Sequence, residues 1–266
     1  MSIITLTTDF GVHDAYVAAM KGVILGINNK ADIVDVCHTI TPHNITEAAY
    51  VLSAVTKYFP DGTIHIAVVD PGVGTKRRPV LIVTPQAYFI GPDNGIFSYV
   101  ASSPESRAQA FHLNNPRYWL SPLSNTFHGR DIFAPVAATL SLGVPPHELG
   151  EMIESLGKAE LSKPAISKDG TIIGKVIHVD HFGNLITNIM ESDLPKRQIF
   201  VELSGHIIDD ISTSYEDDEG LLALVGSDGR LEVSVYKGSA ARYLGVSVGG
   251  EVKVGINKAS LKRRSR

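Results

Sequence analysis

Three aspartates stand where predicted β-strands end, and carboxylates at such positions can bind ligands or take part in proton transfer. Asp9, Asp70 and Asp93 each follow a short apolar segment and precede a proline or glycine by one or two residues. Ligands of open α/β sheets gather at the carboxyl ends of the strands. The same short sequences also form ordinary turns. We assign Asp93 to a turn and interpret Asp9 and Asp70 as functional.

A second group of polar side chains lies in the segment 126–131, Thr-Phe-His-Gly-Arg-Asp, directly before a helix predicted over 132–142. The helix dipole favours an acidic side chain at this position, which accounts for Asp131 but not for His128. We therefore add His128 to the candidates. The segment 180–184, Asp-His-Phe-Gly-Asn, follows a predicted strand, and a hairpin loop is its competing interpretation. No chemistry is assigned to the other histidines, which are His13, His38, His43, His65, His112, His147, His178 and His206.

Residue types alone leave a metal site open. Asp9, Asp14, Asp70 and His128 are oxygen and nitrogen donors of the kind that hold divalent cations. Several other motifs are absent from the sequence, including a Walker A loop, a complete dinucleotide-binding glycine fingerprint, a Gly-x-Ser-x-Gly elbow and a His-Glu-x-x-His helix. Asp-Phe-Gly at 9–11 occurs without the catalytic loop of a protein kinase, which excludes that class.

Composition narrows the class of protein further. The chain has 266 residues, 44% of them hydrophobic, and a formal charge of −4. Five basic residues cluster at 258–266, so the rest of the chain is still more acidic, which argues against nucleic-acid binding. No apolar segment approaches the roughly eighteen residues of a membrane helix, and the N-terminus lacks the basic region of a signal peptide. Cys37 is the only cysteine, which fits a cytoplasmic location.

The elements that must position these residues follow two different patterns. Strand and helix patterns alternate up to about residue 160, whereas short strands follow one another from about residue 165. We predict an α/β fold, with a Rossmann-like N-terminal α/β sheet domain over 1–160 and a small C-terminal β barrel over 161–266. The linker is expected within 155–169. The predicted strands are 3–7, 64–69, 80–84, 88–90, 171–179, 198–203, 221–225, 231–235 and 251–254, and the predicted helices are 16–27, 45–59 and 132–142.

The segments 7–11, 68–75, 126–131 and 180–184 together resemble those of a known enzyme family. They read Thr-Thr-Asp-Phe-Gly, Val-Val-Asp-Pro-Gly-Val-Gly-Thr, Thr-Phe-His-Gly-Arg-Asp and Asp-His-Phe-Gly-Asn. In this order, and over nearly the whole chain, they resemble the S-adenosyl-L-methionine (SAM) hydrolases, also called the SAM hydroxide adenosyltransferases, which are related to fluorinases and chlorinases. The resemblance implies hydrolysis of SAM to adenosine and L-methionine. It also implies a homotrimer whose active sites lie between the N-terminal domain of one subunit and the C-terminal domain of the next, with no metal or cofactor.

The resemblance assigns a role to nine residues. It places the family's catalytic set on Asp70, Arg77 and His128, with Arg78 as the alternative arginine. The implied substrate contacts are Asp9 to the ribose diol, Asp14 and Asp180 to the methionine ammonium, Asn184 to the adenine edge, Tyr215 to the adenine face and Ser227 to the methionine carboxylate. Gly129 stands where the halogenases have a halide-binding serine, and Asp228 stands where they have an arginine, so halide chemistry is disfavoured.

These residue types suit displacement at the ribose C5′ atom, where the sulfonium of SAM supplies a neutral leaving group. The Arg77 cation would favour the hydroxide form of a bound water. Asp70 and His128 would accept the proton of this water and orient it, and a ribose held by Asp9 would align the displacement. Three alternatives stay open: a non-catalytic SAM or adenosine sensor, a metal-dependent hydrolase that uses the same aspartates, and a 5′-halogenase.

Overall fold

The structure is a computed structural model, and it describes residues 2–101, 107–159, 163–216 and 220–256. The chain divides into two compact units, Met1–Leu161 and Ser162–Arg266. The basic segment 258–266 lies outside the described residues, as does part of the predicted linker. Within the described ranges, no helix is both long enough and apolar enough to cross a membrane.

The first unit is an α/β domain, as the sequence predicts. Its strands are β1 (Ser2–Thr8), β2 (Ala31–Cys37), β3 (Thr63–Val68), β4 (Pro79–Val83), β5 (Ala87–Pro92), β6 (Gln109–His112) and β7 (Glu151–Ile153). Its helices are α1 (Tyr16–Ile27), α2 (Ile45–Thr56), α3 (Ser98–Ala101), α4 (Ala134–Ser141) and α5 (Pro146–Leu149). The predicted strands and helices of this unit are all present, with ends that move by a few residues. The predicted helix 132–142 differs most, because a π-helical turn over Gly129–Phe133 precedes α4.

The sheet of this unit carries the order β2-β1-β3-β5-β4-β6-β7 among the described residues. Strands β2, β1, β3 and β5 run parallel to one another, whereas β4 pairs antiparallel with β5 and β6, and β6 pairs antiparallel with β7. The carboxyl ends of β1, β3 and β5 therefore meet at one edge. Asp9, Asp70 and Asp93 leave the sheet at this edge, and this is why Asp9 and Asp70, although distant in sequence, can line the same cavity.

Alternating side chains of the central strands pack against helices on both faces of the sheet. Ile66 and Val68 of β3 join a core that includes α1 and α4, while Ala67 joins the core under α2. Successive side chains of a strand point to opposite faces, so a strand that is apolar throughout is covered on both sides. The apolar run that ends before Asp70 thus anchors this aspartate on a rigid element.

The second unit is the small β barrel that the sequence predicts. Its elements are β8 (Ala165–Ile166), β9 (Ile172–Val179), β10 (Leu185–Met190), β11 (Ile199–Leu203), β12 (His206–Asp209), β13 (Leu221–Val225), β14 (Arg230–Val235), α6 (Ala240–Leu244) and β15 (Glu251–Ile256). Antiparallel pairing gives the order β12-β11-β15-β9-β10-β14-β13, with β8 beside β9. The N–H of Ser212, just after β12, donates to the carbonyl of Ala223 in β13 at 2.8 Å, so the sheet nearly closes on itself.

Three strands of the barrel, β8, β10 and β12, were not predicted. In β10 the polar residues Thr187 and Asn188 interrupt the apolar pattern, yet both are buried. The Thr187 hydroxyl donates to the carbonyl of Leu231 at 2.8 Å, and the Asn188 side-chain oxygen accepts from the N–H of Lys175 at 2.7 Å. Strand β8 has only two residues, and β12 reads His-Ile-Ile-Asp, in which apolar and polar residues do not alternate.

Candidate active site

Asp70, Arg77 and His128 form one hydrogen-bonded cluster at the edge of the first unit's sheet. Nε of Arg77 lies 2.9 and 3.0 Å from the two carboxylate oxygens of Asp70, and its Nη2 also donates to Asp70. The same Nη2 lies 3.0 Å from Nδ1 of His128. The side chains of Asp70 and Arg77 are 5% and 9% exposed, so this ion pair is largely withdrawn from water. The guanidinium also lies over the Phe133 ring, with Cζ 5.3 Å from its centroid.

Arg78, the alternative arginine, points elsewhere. Its Nε and Nη2 donate to one carboxylate oxygen of Asp93, and Nη2 also donates to the carbonyl of Ser155 at 2.8 Å. The other oxygen of Asp93 accepts the N–H of Gly157. Asp93 therefore holds neighbouring loops together, in keeping with its assignment to a structural position. The geometry brings Arg77 into the cluster and leaves Arg78 outside it.

The contact with Arg77 fixes the protonation of His128. A guanidinium can only donate hydrogen bonds, so Nδ1 of His128 must be the acceptor. Burial lowers the pKa of His128 below its usual value, and the positive charge of Arg77 lowers it further, against opposing effects of Asp70 and Asp131. The neutral ring therefore carries its proton on Nε2 and presents a donor there, rather than a free basic nitrogen.

Asp9 lies at a cavity of about 280 Å³ that Asp70 and His128 also line. Its carboxylate accepts the backbone N–H of His43 at 2.9 Å. His43 has a positive φ of 67°, which is uncommon for a residue with a side chain. The lining residues are Asp9, Phe10, Tyr16, Pro42, His43, Val68, Asp70, Val73, Thr126, Phe127, His128 and Gly129. His43, to which the sequence analysis assigned no chemistry, is thus part of this site.

An aromatic cluster that sequence reasoning missed forms one wall of the cavity. The rings of Phe10, Tyr16 and Phe127 lie with centroids 5.2 to 5.8 Å apart, at tilted or edge-on angles. Phe10 and Phe127 lie in the segments 7–11 and 126–131, which stand out in the sequence for their polar residues. Their position beside those polar residues was the signal that could have indicated this cluster. A Cβ added at Gly129 would come within 3.2 to 3.4 Å of Met20, Phe127 and Phe10. A serine at this position would therefore crowd the aromatic wall.

Asp14 is exposed in the loop before α1 and does not line the described cavity. Ser227 is likewise exposed, in the turn that joins β13 to β14, and it lines neither cavity described here. Asp228, in the same turn, lies 3.4 Å from Nε of Arg230. The structure thus brings Asp9, Asp70, Arg77 and His128 together in the first unit, and it leaves Asp14 and Ser227 apart from the lining residues of their units.

In the second unit, Asp180 and Asn184 belong to the hairpin loop between β9 and β10. One carboxylate oxygen of Asp180 accepts the N–H groups of Phe182 and Asn184, both at 2.9 Å, and the other accepts the side-chain amide of Asn184. The hairpin interpretation of this segment is therefore correct. The same two side chains also line a second cavity of about 660 Å³. Its lining residues are Asp180, His181, Phe182, Asn184, Tyr215, Val235, Tyr236, Lys237, Gly238 and Arg242.

Tyr215 lines this second cavity with its hydroxyl anchored to a buried carboxylate. The hydroxyl donates to Glu232 at 2.9 Å, and the hydroxyl of Ser234 donates to the same oxygen at 2.7 Å. Burial raises the pKa of Glu232, and burial together with the Glu232 hydrogen bond raises the pKa of Tyr215 to about 12. Lys237 and Arg242 also line the cavity and were missed, because neither stands in a recognisable motif.

Within the described parts of the chain, the structure contains no group of three or more histidine, cysteine, aspartate or glutamate side chains that could hold a metal ion. Asp9, Asp14, Asp70 and His128, the candidate ligands of the sequence analysis, do not form such a group.

The fold and the site describe a two-domain protein. Its first unit is an α/β domain with a carboxylate–guanidinium–imidazole cluster at the strand ends, and its second unit is a β barrel. The model of the SAM hydroxide adenosyltransferase N-terminal domain matches residues 4–150, and that of the C-terminal domain matches residues 174–253. The chain belongs to this family.

Named relatives agree with this assignment, and a solved structure has the same fold. The chain is 39% identical over 256 residues to a protein of Thermus thermophilus named (R)-S-adenosyl-L-methionine hydrolase, covering 93% of this chain and 97% of the relative. It is 36% identical to a protein of Methanocaldococcus jannaschii with the same name, covering 96% of each. A crystal structure of an uncharacterized conserved protein from Thermotoga maritima superimposes with a TM-score of 0.87 at 34% identity, covering 94% of this chain and 99% of that one.

Proposed function

We propose that this protein hydrolyses SAM to adenosine and L-methionine by attack of water at the ribose C5′ atom. The observation that carries the proposal is the Asp70–Arg77–His128 cluster at the edge of the cavity that contains Asp9. Family membership and the names of two relatives support the same reaction. A pure SAM sensor would have no need for a buried cation held between a carboxylate and an imidazole next to its ligand.

The cluster favours a division of labour between its three members. Asp70 lines the cavity and carries lone pairs beyond those that Arg77 occupies, so it is the group that accepts the proton of the attacking water. His128, with Nδ1 held by Arg77, orients that water through its Nε2 proton and is not a second base. The Arg77 charge favours the hydroxide form of the water. Its Nη1 atom is buried and has no partner among the described residues, which leaves a donor for an oxygen ligand.

Substrate contacts extend the proposal to both units. Asp9 binds the ribose diol and so aligns C5′ with the nucleophile. Tyr215, held by Glu232, offers its ring to the adenine, and Asn184 offers the amide oxygen that its bond to Asp180 leaves unused. The carboxylate of Asp180 keeps one lone pair beyond those used in the loop, and this lone pair can accept a hydrogen bond from the methionine ammonium. The roles of Asp14 and Ser227 rest on the family resemblance alone.

The assembly and its surroundings are part of the proposal. A homotrimer with each active site shared between two subunits follows from the resemblance, and it would bring the residues of a first unit to those of a neighbour's second unit. Hydrolysis of an activated sulfonium needs no cofactor and no metal, because the leaving group is already neutral. A cytoplasmic location is proposed from the single cysteine, Cys37.

The reaction is tested by a mass-spectrometric time course of the purified protein with SAM in ¹⁸O-labelled water containing EDTA. Adenosine with one ¹⁸O, formed together with methionine, is the expected result. Unchanged SAM despite tight binding would support the sensor instead. Activity that returns only after addition of a divalent metal would support the metal-dependent hydrolase, and a halide-dependent 5′-halo-5′-deoxyadenosine would support a halogenase.

A further inference from the structure

The loop that carries Asp9 is attached to a buried histidine to which the proposed mechanism gives no role. Thr8 ends β1 and His38 directly follows β2. These two strands are parallel neighbours, and Thr7 lies opposite Cys37 in their register. The residues that follow these two along their strands, Thr8 and His38, are therefore adjacent as well, and Oγ1 of Thr8 lies 2.9 Å from Nδ1 of His38.

The same histidine holds the far end of the loop through its backbone. Its carbonyl accepts the N–H of Gly11 at 2.7 Å. Within the loop, the N–H of Phe10 donates to the Thr8 hydroxyl at 3.2 Å. The residues on either side of Asp9 are thus fixed to one another, and the segment as a whole is fixed to His38 at two points.

The ring of His38 is itself held in place. Its Nε2 atom lies 3.0 Å from a carboxylate oxygen of Asp35, although the contact is not aligned as a hydrogen bond, so it is mainly electrostatic. The second oxygen of Asp35 accepts from Nζ of Lys21 in α1 at 2.6 Å. A carboxylate beside Nε2 favours the tautomer with its proton on Nε2, which leaves Nδ1 to accept the Thr8 hydroxyl proton.

We propose that His38 is a positioning residue for Asp9, which it acts on through the Thr8 hydroxyl and the Gly11 N–H without touching the ligand. The proposal rests on the proposed function in so far as Asp9 is taken to bind a ribose diol. Displacement of a binding group by a fraction of an ångström weakens directional hydrogen bonds. The loss of the Thr8–His38 contact should therefore weaken the binding of ligands with a diol and spare those without one.

The test compares adenosine with 2′,3′-dideoxyadenosine by isothermal titration calorimetry. The wild-type protein is expected to prefer adenosine. His38→Gln removes the nitrogen that faces Thr8, and it should reduce this preference on the order of ten-fold. His38→Asn places an amide close to the position of Nδ1 and should restore most of it. Thr8→Val, which keeps the side-chain shape, should behave like His38→Gln and provides a second test if the histidine variant folds poorly.

The first unit offers a matched control in a second buried threonine–histidine pair, whose threonine lies on the same strand, β1. Nδ1 of His65, in β3, lies 2.8 Å from Oγ1 of Thr5, three residues before the end of β1. His65→Gln and Thr5→Val should lower stability yet leave the preference for adenosine at the wild-type value. In an Asp9→Asn background, His38→Gln should have no further effect on adenosine affinity, because the group on which it acts is already gone.

The outcomes separate the two hypotheses. A wild-type protein that binds both nucleosides equally would refute the ribose role of Asp9 and the positioning role of His38 with it. A wild-type preference that survives both His38→Gln and Thr8→Val would overturn only the positioning role. An equal loss of preference in the His65 and Thr5 controls would also overturn it, since the effect would then come from general destabilisation.

Discussion

Asp70 and Asp93 have nearly the same local partners but different surroundings. Both follow strands whose carboxyl ends lie at the same edge of the sheet, and each accepts hydrogen bonds from an arginine. Asp70 lines the cavity and shares its arginine with His128, whereas Asp93 ties together two loops. At the scale of single residues, a reactive carboxylate is therefore distinguished from a structural one by the other groups that its arginine contacts.

This pair of aspartates gives a mutational prediction with an internal control. Asp70→Asn removes the proposed base and should lower the turnover of SAM by about 100-fold or more. Adenosine affinity should change little, because Asp9 is untouched. Asp93→Asn should keep turnover close to wild type. Adenosine release followed by liquid chromatography gives the rates, and calorimetry gives the affinities. Wild-type turnover in Asp70→Asn would contradict the assigned chemistry.

The ionisation of His128 provides a second prediction at this scale. Burial and the charge of Arg77 hold the pKa of His128 below its usual value of 6.5. Arg77→Gln removes a positive neighbour of the protonated ring, so the pKa should rise in this variant. The imidazole resonances followed by NMR across pH measure both values, with His128→Asn used for assignment. A pKa that is unchanged by Arg77→Gln would show that the ring and the guanidinium are not in contact.

At the scale of elements, β1 and β3 carry buried polar side chains that the apolar pattern of these strands hides. His65 of β3 is fully buried, faces Thr5 of β1 and stacks on the ring of Phe89 at 5.3 Å. Burial lowers the pKa of His65 to about 4. Because His65 is buried in its neutral form, protonation of its imidazole favours unfolding of the sheet.

Stability should therefore depend on pH through His65. Since its pKa is lower in the folded state than in the unfolded state, stability is fully present above pH 6.5 and is lost as pH falls towards about 4. The loss over this interval is about 3 kcal/mol at most. Urea unfolding at several pH values measures the effect. His65→Leu should flatten the curve between pH 6.5 and 4, while the exposed control His13→Leu should retain the wild-type slope.

At the scale of the whole molecule, the candidate site residues fall into two groups, one in each compact unit. The proposed trimer would combine the first unit of one subunit with the second unit of the next. A contact of this head-to-tail type is heterologous, so each subunit would contribute two different surfaces. The arrangement makes a complementation experiment possible.

Two inactive variants should restore each other when mixed. Asp70→Asn is defective in the first unit, and Tyr215→Ala should be defective in the second. After exchange of subunits at equal concentration, roughly a quarter of the sites should contain two intact halves. Activity of the mixture is compared with each variant alone and with a mixture of two Asp70→Asn preparations. A mixture that stays inactive after proven subunit exchange would place both halves of the site in one subunit.

Local sequence was sufficient for the fold class and for much of the first unit's site. Parallel strands must release their carboxyl ends at one edge, so Asp9 and Asp70 could be paired from the strand pattern alone. His128 was recognisable because helix dipole and capping arguments explained its neighbour and not the imidazole. The family resemblance added Arg77, which no strand or helix pattern singles out.

The choice of the arginine that joins the cluster, and of the histidines that support it, became evident only in the folded molecule. Arg77 and Arg78 are adjacent in a loop, and their side chains diverge to partners 51 and 15 residues away, His128 and Asp93. The pairing of His38 with Thr8 depends in the same way on the register of two strands. Hydrogen bonds between residues distant in sequence are set by packing and register, which local periodicity does not encode. The sequence alone thus determined which chemical groups are present and at which strand ends, and the fold determined which of them meet.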